Sequence, residues 1–232
     1  AFMKTIGLIG GMSWESTVTY YKIINETIKK ELGGLHSAKI ILYSVDFDEI
    51  EKYQANGEWL KSADVLTEAA AKLENAGADF IVICTNTMHK VAPHIQQKIN
   101  IPILHIAQAT AEELNKNNIK KVILLGTKYT MQQDFYKEII INSGIEVIIP
   151  DNDEIETVNN IIYNELCLGI ISDESKKKYI EIINRLAKNG AEGVILGCTE
   201  TGLLINQGDV KIPVFDTTLI HAEKAAKLAV NK

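Results

Sequence analysis

A ten-residue segment of this chain is echoed in similar residues 113 positions later. Gly77-Ala78-Asp79-Phe80-Ile81-Val82-Ile83-Cys84-Thr85-Asn86 is echoed by Gly190-Ala191-Glu192-Gly193-Val194-Ile195-Leu196-Gly197-Cys198-Thr199, so Cys84 falls opposite Gly197 and Thr85 opposite Cys198. Three more segments repeat in the same order. Lys4-Thr5-Ile6-Gly7-Leu8-Ile9-Gly10-Gly11 matches Lys120-Lys121-Val122-Ile123-Leu124-Leu125-Gly126-Thr127, and Ile40 to Asp46 matches Glu146 to Asp151. Ile101-Pro102-Ile103-Leu104-His105 matches Ile212-Pro213-Val214-Phe215-Asp216. Four matches in one order predict two similar halves of about four strands each. A duplicated strand that ends on a small nucleophilic side chain further suggests two related half-sites around a shared ligand.

The strand candidates are continuous apolar runs rather than alternating ones, and helix-like patterns such as 63–74 and 176–188 separate them. That pattern belongs to parallel strands covered on both faces. A hydrophobic share of 46% supplies such a core. The expected fold is therefore α/β, with two pseudo-symmetric domains, each a mostly parallel four-stranded sheet flanked by helices, and the active site in the cleft between them. The Ile-Pro pairs sit where a chain enters a strand, a position that tolerates proline's missing donor, and they also suit crossings between halves. This gives one domain over 3–103 plus 212–232 and the other over 104–211.

Several function classes drop out. A net charge of −6 with a single arginine, Arg185, argues against nucleic acid. No stretch resembles a membrane span or signal peptide, so a cytoplasmic protein is expected. Cys84, Cys167 and Cys198 have no metal-like spacing and are odd in number, which disfavours a disulfide framework. The histidine spacing suggests no zinc site, and no lysine stands where a pyridoxal Schiff base would need it. Neither cofactor nor metal is expected.

The chemistry-bearing candidates lie just past strand ends, where open parallel sheets bind ligands. Gly10-Gly11-Met12-Ser13-Trp14-Glu15-Ser16-Thr17 turns from a strand into a helix. Glycines there let a ligand approach the backbone, and the helix N-terminus favours an anion. Gly126-Thr127-Lys128-Tyr129-Thr130 is its counterpart, with at least one of Thr127 and Thr130 expected to cap a helix. Two anion corners would suit a dicarboxylate. Cys198, flanked by Gly197 and Thr199-Glu200, is expected to have its acidity raised by turn amides from a free value near ~8.5. Cys84, one residue earlier in its strand, should point into packing, and Cys167 reads as core filler. His89 reads as a capping or buried, satisfied histidine. Asp46, Asp48 and Glu49 offer one carboxylate for an ammonium group or else a solvated loop. Gln54 lies in a polar stretch able to fold over a ligand.

Taken together, Gly10 to Thr17, Asn86-Thr87-Met88-His89, Gly126 to Thr130 and Gly197-Cys198-Thr199-Glu200 resemble the aspartate/glutamate racemase family over essentially the whole chain. The resemblance implies a cofactor-independent enzyme of two pseudo-symmetric α/β domains, commonly a homodimer, in which two cysteines flank the substrate's α-carbon. The family's first motif reads Cys-Asn-Thr-x-His, whereas this chain has Thr85-Asn86-Thr87-Met88-His89. It thus resembles a subgroup with threonine in the first cysteine's place. Catalysis is expected from Cys198 and Thr85, and substrate binding from Met12, Ser13, Gln54, Asn86, Thr87, Thr127, Thr130, Thr199 and Glu200. L-aspartate and L-glutamate are the implied substrates, because the second-motif cysteine serves the L enantiomer in the family. Some relatives carry an arginine after the second strand and a lysine in a later helix. This chain lacks the first and has Cys167 in the place of the second. Other reactions on the same fold (maleate isomerase, hydantoin racemase or decarboxylase chemistry) and a catalytically weak dicarboxylate-binding protein are the alternatives.

Overall fold

The computed structural model describes residues 2–231. They form two compact units, one running to Ile106 and resuming at His221, the other spanning Ala107–Ile220.

The first unit begins with β1 (Ile6–Gly10), α1 (Trp14–Leu32), β2 (Ile40–Ser44), α2 (Phe47–Ala55), α3 (Trp59–Asn75), β3 (Phe80–Ile83), a 3-10 turn over Thr87–Val91 and α4 (Ala92–Gln96). Helix α5 (Ile106–Lys116) leads into the second unit, which continues with β4 (Lys121–Gly126), α6 (Lys128–Gln132), α7 (Asp134–Asn142), β5 (Glu146–Ile148), α8 (Asn152–Asn164), α9 (Asp173–Ala187), β6 (Gly193–Gly197) and β7 (Val214–Asp216). Helix α10 (Thr217–Val230) returns the chain to the first unit.

Both sheets are parallel, ordered β2-β1-β3 and β5-β4-β6-β7. The four repeated segments occupy equivalent places. Strands β1, β3 and β6 are buried along their whole length, as continuous apolar runs predict. Alternation divides them between two cores. Ile6, Leu8, Phe80, Val82 and Cys84 face α1 and α10, while Ile9, Ile81 and Ile83 face α3. In the second unit Ile123, Leu125, Val194, Leu196 and Cys198 share the core of α8 and α9. Each such aliphatic side chain contributes ~1.5–3 kcal/mol by leaving water.

Two expectations need correcting. The first sheet has three strands rather than four. Its 101–105 segment makes only one bridge, Ile81 with Ile103, fastened by Ile81 N–H to Pro102 O at 2.9 Å and Leu104 N–H to Ile81 O at 2.9 Å. The segment from 212, assigned from sequence to the first unit, instead adds β7 to the second sheet through β6, and the chain crosses back only at His221. Residues 104–106 likewise stay with the first unit. An Ile-Pro pair marks entry into a strand, and in the second copy that strand still had a neighbour to pair with.

The first unit also has a polar core. His221 on α10 lies with its Nδ1 2.6 Å from the Tyr20 hydroxyl and its Nε2 2.7 Å from Leu104 O. His89 places Nδ1 2.7 Å from Thr85 O and accepts the Ile106 N–H at Nε2, 3.2 Å away. The His89 ring centroid lies 4.6 Å from that of His105 and 5.6 Å from that of His221. Burial makes the charged forms costly, holding His221 near pKa 3, His105 near 4, and His89 well below its ordinary value. The proximity of His105 and His221 depresses His89 further. Among the described residues no helix is long and apolar enough to cross a membrane.

These shifts set an acid limit. An unfolded histidine takes up its proton near ~6.5, while the folded rings stay neutral far below that. The unfolded chain therefore binds more protons, and stability must fall as pH drops from about 6.5 toward 4. Thermal melts should show the midpoint declining from the upper end of that range, before most carboxylates titrate. A midpoint that is flat from pH 7 to 5 would contradict neutral buried histidines.

Candidate active site

Sheet geometry brings the candidates to the carboxyl ends of four central strands, two per unit. In the first unit, β1 runs into the Gly10-Gly11 turn beside β3, with Cys84 N–H bonded to Ile9 O at 2.9 Å. Gly11 has φ +94°, and an added Cβ would lie 2.2 Å from Val45 O, so the position requires glycine. Its N–H donates to Thr17 Oγ1 at 2.9 Å. Any anion at this turn would therefore meet the first turn of α1 rather than Gly11. Ser13, reached through a cis Met12–Ser13 peptide, caps α1 by backbone conformation, and its carbonyl accepts from Ser16 and Thr17 hydroxyls at 2.9 and 3.1 Å. Met12 is buried in the α3-side core with Ile9, Ile50 and Met88.

At the end of β3, Cys84 is fully buried among Phe80, Val82 and the α10 alanines, and desolvation pushes its thiol far up. It is packing, as the strand alternation requires. Thr85 is half-buried, while Asn86, Thr87, Met88 and His89 are buried. Gln54 on α2 does not extend over a ligand from a mobile loop. It is buried and donates Nε2–H to Met88 Sδ at 3.0 Å. Asp46 caps α2, accepting from Asp48 N–H at 3.2 Å.

In the second unit, Gly126 and Gly197 are register partners. A Cβ on either would come within 2.9 Å of a backbone carbonyl of the other strand, Gly197 O or Leu125 O. These two glycines let the turns after β4 and β6 lie side by side. Thr127 caps α6, accepting from the Thr130 N–H and lying 3.4 Å from the Thr130 hydroxyl, so the capping expectation holds. Just beyond β6, two side chains converge on one oxygen of a third. Cys198 Sγ–H donates to Glu200 Oε2 at 3.1 Å, and Thr199 Oγ1–H donates to the same oxygen at 2.8 Å. Cys198 is 7% exposed and Glu200 5%.

The electrostatics reverse one expectation. The Cys198 thiol lies well above its ordinary value, first because burial penalises the thiolate, then because of the Glu200 charge, Cys167 and the bond to Glu200. A backbone N–H of Glu200 does favour the thiolate, but it is outweighed. The turn amide was visible in sequence; the burial and the carboxylate beside the sulfur were not. Sequence reasoning had placed Glu200 with the substrate binders and missed its bond to the thiol. The cue was its position two residues after the cysteine, where a turn brings the side chains together. Cys167, on a 3-10 turn over Leu166–Leu168, packs half-buried against the same core as Cys198. Tyr179 on α9 is also fully buried there, its hydroxyl pushed up by desolvation and by the nearby Cys198. No group of His, Cys, Asp or Glu among the described residues could hold a metal ion.

Comparison with known proteins fits this arrangement. The family model for Asp/Glu/hydantoin racemases matches residues 9–225. The broad specificity amino-acid racemase RacX of Bacillus subtilis is 25% identical over 94% of this chain and 95% of its own length. An aspartate racemase homologue from Pyrococcus horikoshii OT3 superposes with a TM-score of 0.85 at 40% identity, covering 99% of this chain and all of the other. The Picrophilus torridus aspartate racemase gives 0.76 at 25% identity, covering 99% and 95%. The chain belongs to the Asp/Glu/hydantoin racemase family.

The Cys198–Glu200 contact makes a directional prediction. Glu200→Gln removes a negative charge beside the sulfur, so the thiolate should form more easily. The pH midpoint for alkylation of Cys198 by iodoacetamide, followed by mass spectrometry in the Cys84→Ala/Cys167→Ala background, should move to lower pH. A midpoint unmoved or shifted upward would show that Glu200 does not govern the thiol.

Proposed function

We propose that this chain is a cofactor-independent aspartate/glutamate racemase that works by removing and returning the substrate's α-proton. One observation carries the reading: a buried thiol just past β6 donates a hydrogen bond to a buried carboxylate. An α-proton is very weakly acidic, and its removal needs a thiolate close at hand. In the proposed step the Cys198 thiol passes its proton to Glu200 Oε2, and the resulting thiolate takes the proton from the α-carbon. Cys198 is then a thiol again, able to protonate the carbanion on the same face. Thr85 is the partner that delivers a proton to the opposite face of that carbon, and the proton held by Glu200 then returns to Thr85 through solvent, so that all three groups are restored.

An alcohol and a thiol are unequal partners. Thr85 can donate a proton to a carbanion, yet it is far from ionised at neutral pH and is a poor base. The reaction therefore favours L substrates, whose α-proton meets Cys198. Carboxylate recognition falls to hydroxyls and backbone amides, with Ser13, Asn86, Thr87, Thr127 and Thr199 as the proposed donors. Gln54, Met12 and Thr130 support them from the surrounding packing. Arg185 is committed to Glu154, its Nε 3.0 Å from Oε1, and offers no clamp. Fixed donors in a water-poor site are effective at this task, since removing one costs roughly 3–4 kcal/mol of transition-state stabilisation. The name of the Bacillus relative, a broad specificity racemase, extends the substrates worth testing beyond the two acidic amino acids. A homodimer completes the reading: Trp14, Val18 and Tyr21 put an exposed apolar stripe on α1, and sedimentation velocity would report the association state.

The test is α-proton exchange in D2O, followed by NMR, for each enantiomer of aspartate and glutamate, with circular dichroism following inversion. Exchange of the L-substrate α-proton should outpace inversion and should survive exhaustive chelation. Cys198→Ala should abolish exchange with the fold retained, whereas Cys84→Ala and Cys167→Ala should keep most of it. Thr85→Cys should raise the initial rate from the D enantiomer by at least ~10-fold, about 1.4 kcal/mol of barrier. Exchange near the wild-type rate in Cys198→Ala would remove the proposed base. A stable covalent adduct on Cys198 would instead favour isomerase chemistry of the maleate type.

A further inference from the structure

The buried histidines of the first unit form a directed chain of hydrogen bonds, and its direction can be read from groups that have no choice. A backbone N–H only donates. His89 Nε2 accepts from Ile106 N–H, so in the neutral ring Nε2 is bare and the proton sits on Nδ1. Nδ1–H therefore donates to Thr85 O, 2.7 Å away. A carbonyl only accepts. His221 Nε2 faces Leu104 O at 2.7 Å, so Nε2 carries that ring's proton, and Nδ1 accepts from the Tyr20 hydroxyl at 2.6 Å. The two rings must hold opposite tautomers. The series runs from Tyr20 on α1, through His221 on α10 and the backbone of 104–106, to His89 and then to the carbonyl of Thr85.

We propose that His89, fixed as its Nδ1–H tautomer, is a positioning residue for Thr85, and that Tyr20, His221 and the 104–106 segment hold it in that role. The inference rests on the racemase reading given above. Thr85 lies two residues past the fully buried strand β3 and is itself half-buried. The last strand bond before it runs from Cys84 N–H to Ile9 O. Its carbonyl is held by the imidazole of His89, four residues on, inside a tight 3-10 turn. Anchoring the carbonyl fixes the peptide plane and hence the direction in which the Thr85 side chain leaves the backbone. A displacement of about 1 Å in a group that must meet a reacting carbon can cost ~100-fold in rate. The surrounding charges permit the neutral ring, since the titratable groups in contact with His89 are His105 and His221, both driven to their neutral forms by burial.

The role separates from general support because it concerns one of two proton transfers. Exchange through Cys198 does not pass through Thr85, whereas inversion does. His89→Asn keeps an N–H donor near the Nδ1 position and should retain most of the wild-type ratio of inversion to α-proton exchange with L-aspartate in D2O. His89→Gln moves the amide out toward the Nε2 position and leaves the Thr85 carbonyl without that donor. Its ratio should fall ~10-fold or more, with exchange largely kept. Inversion and exchange falling in step in His89→Gln, or a ratio unmoved, would overturn the proposal. One further measurement needs no variant and remains decisive if His89→Gln fails to fold. Long-range 1H–15N correlation spectra of the wild-type protein should assign an Nδ1–H ring to His89 and an Nε2–H ring to His221. The reverse tautomer at His89 would overturn the proposal by itself. Absence of any exchange by the wild-type protein would bring down the racemase reading and the catalytic part of this inference with it, while the tautomer spectra still report on the hydrogen-bond chain.

Discussion

A parallel strand buried on both faces can do chemistry only at its ends. In β1, β3 and β6 every side chain is in a core, and the backbone groups are consumed by neighbouring strands. The first positions at which a side chain can meet a ligand are those just past the ladder. This constraint explains why the family motifs sit where they do, directly after apolar runs. It also explains why the turns carry glycines, since adjacent strand ends must be close enough for their turns to share a ligand. Gly126 and Gly197 fulfil that need in the second unit, each leaving no room for a Cβ against the other's strand.

The same burial creates a conflict at Cys198. A site that excludes water strengthens the hydrogen bonds that stabilise a carbanion, but it also disfavours the thiolate that must form one. In the proposed step Glu200 resolves the conflict at the level of proton position rather than acidity. Its charge raises the thiol further at rest, which keeps the sulfur protonated and unreactive, while the carboxylate supplies the nearest place for that proton to go.

Sequence made the topology legible because the repeat and the apolar runs are local and periodic. Each of the four matched segments lies in an equivalent place in its sheet. What escaped reading were properties that depend on residues far apart in the chain. The boundary expected at 212 failed because the Ile-Pro pairs look alike in both halves, yet one leads to a single bridge at Ile103 and the other to a full strand, β7. The acidity of Cys198 was read from the turn amides alone, and burial by α8 and α9 overrode them. Tyr20, His89, His105 and His221 have no shared spacing, so nothing in their order announces one cluster.

The threonine in the first motif acquires a physical meaning from that cluster. A cysteine at position 85 would need an environment that lets it ionise, whereas the Thr85 carbonyl meets His89, one of three clustered histidines kept neutral by burial, none of which supplies positive charge at physiological pH. Such surroundings do not lower the acidity barrier of a strand-end group; they hold it in place. On the proposed reading a threonine there is asked only to present a proton along a fixed direction, and rigidity matters more to that task than charge. The two copies of the repeat then differ in what surrounds the strand-end residue. At Cys198 a carboxylate oxygen accepts a hydrogen bond from the sulfur; at Thr85 the imidazole of His89 meets the backbone carbonyl.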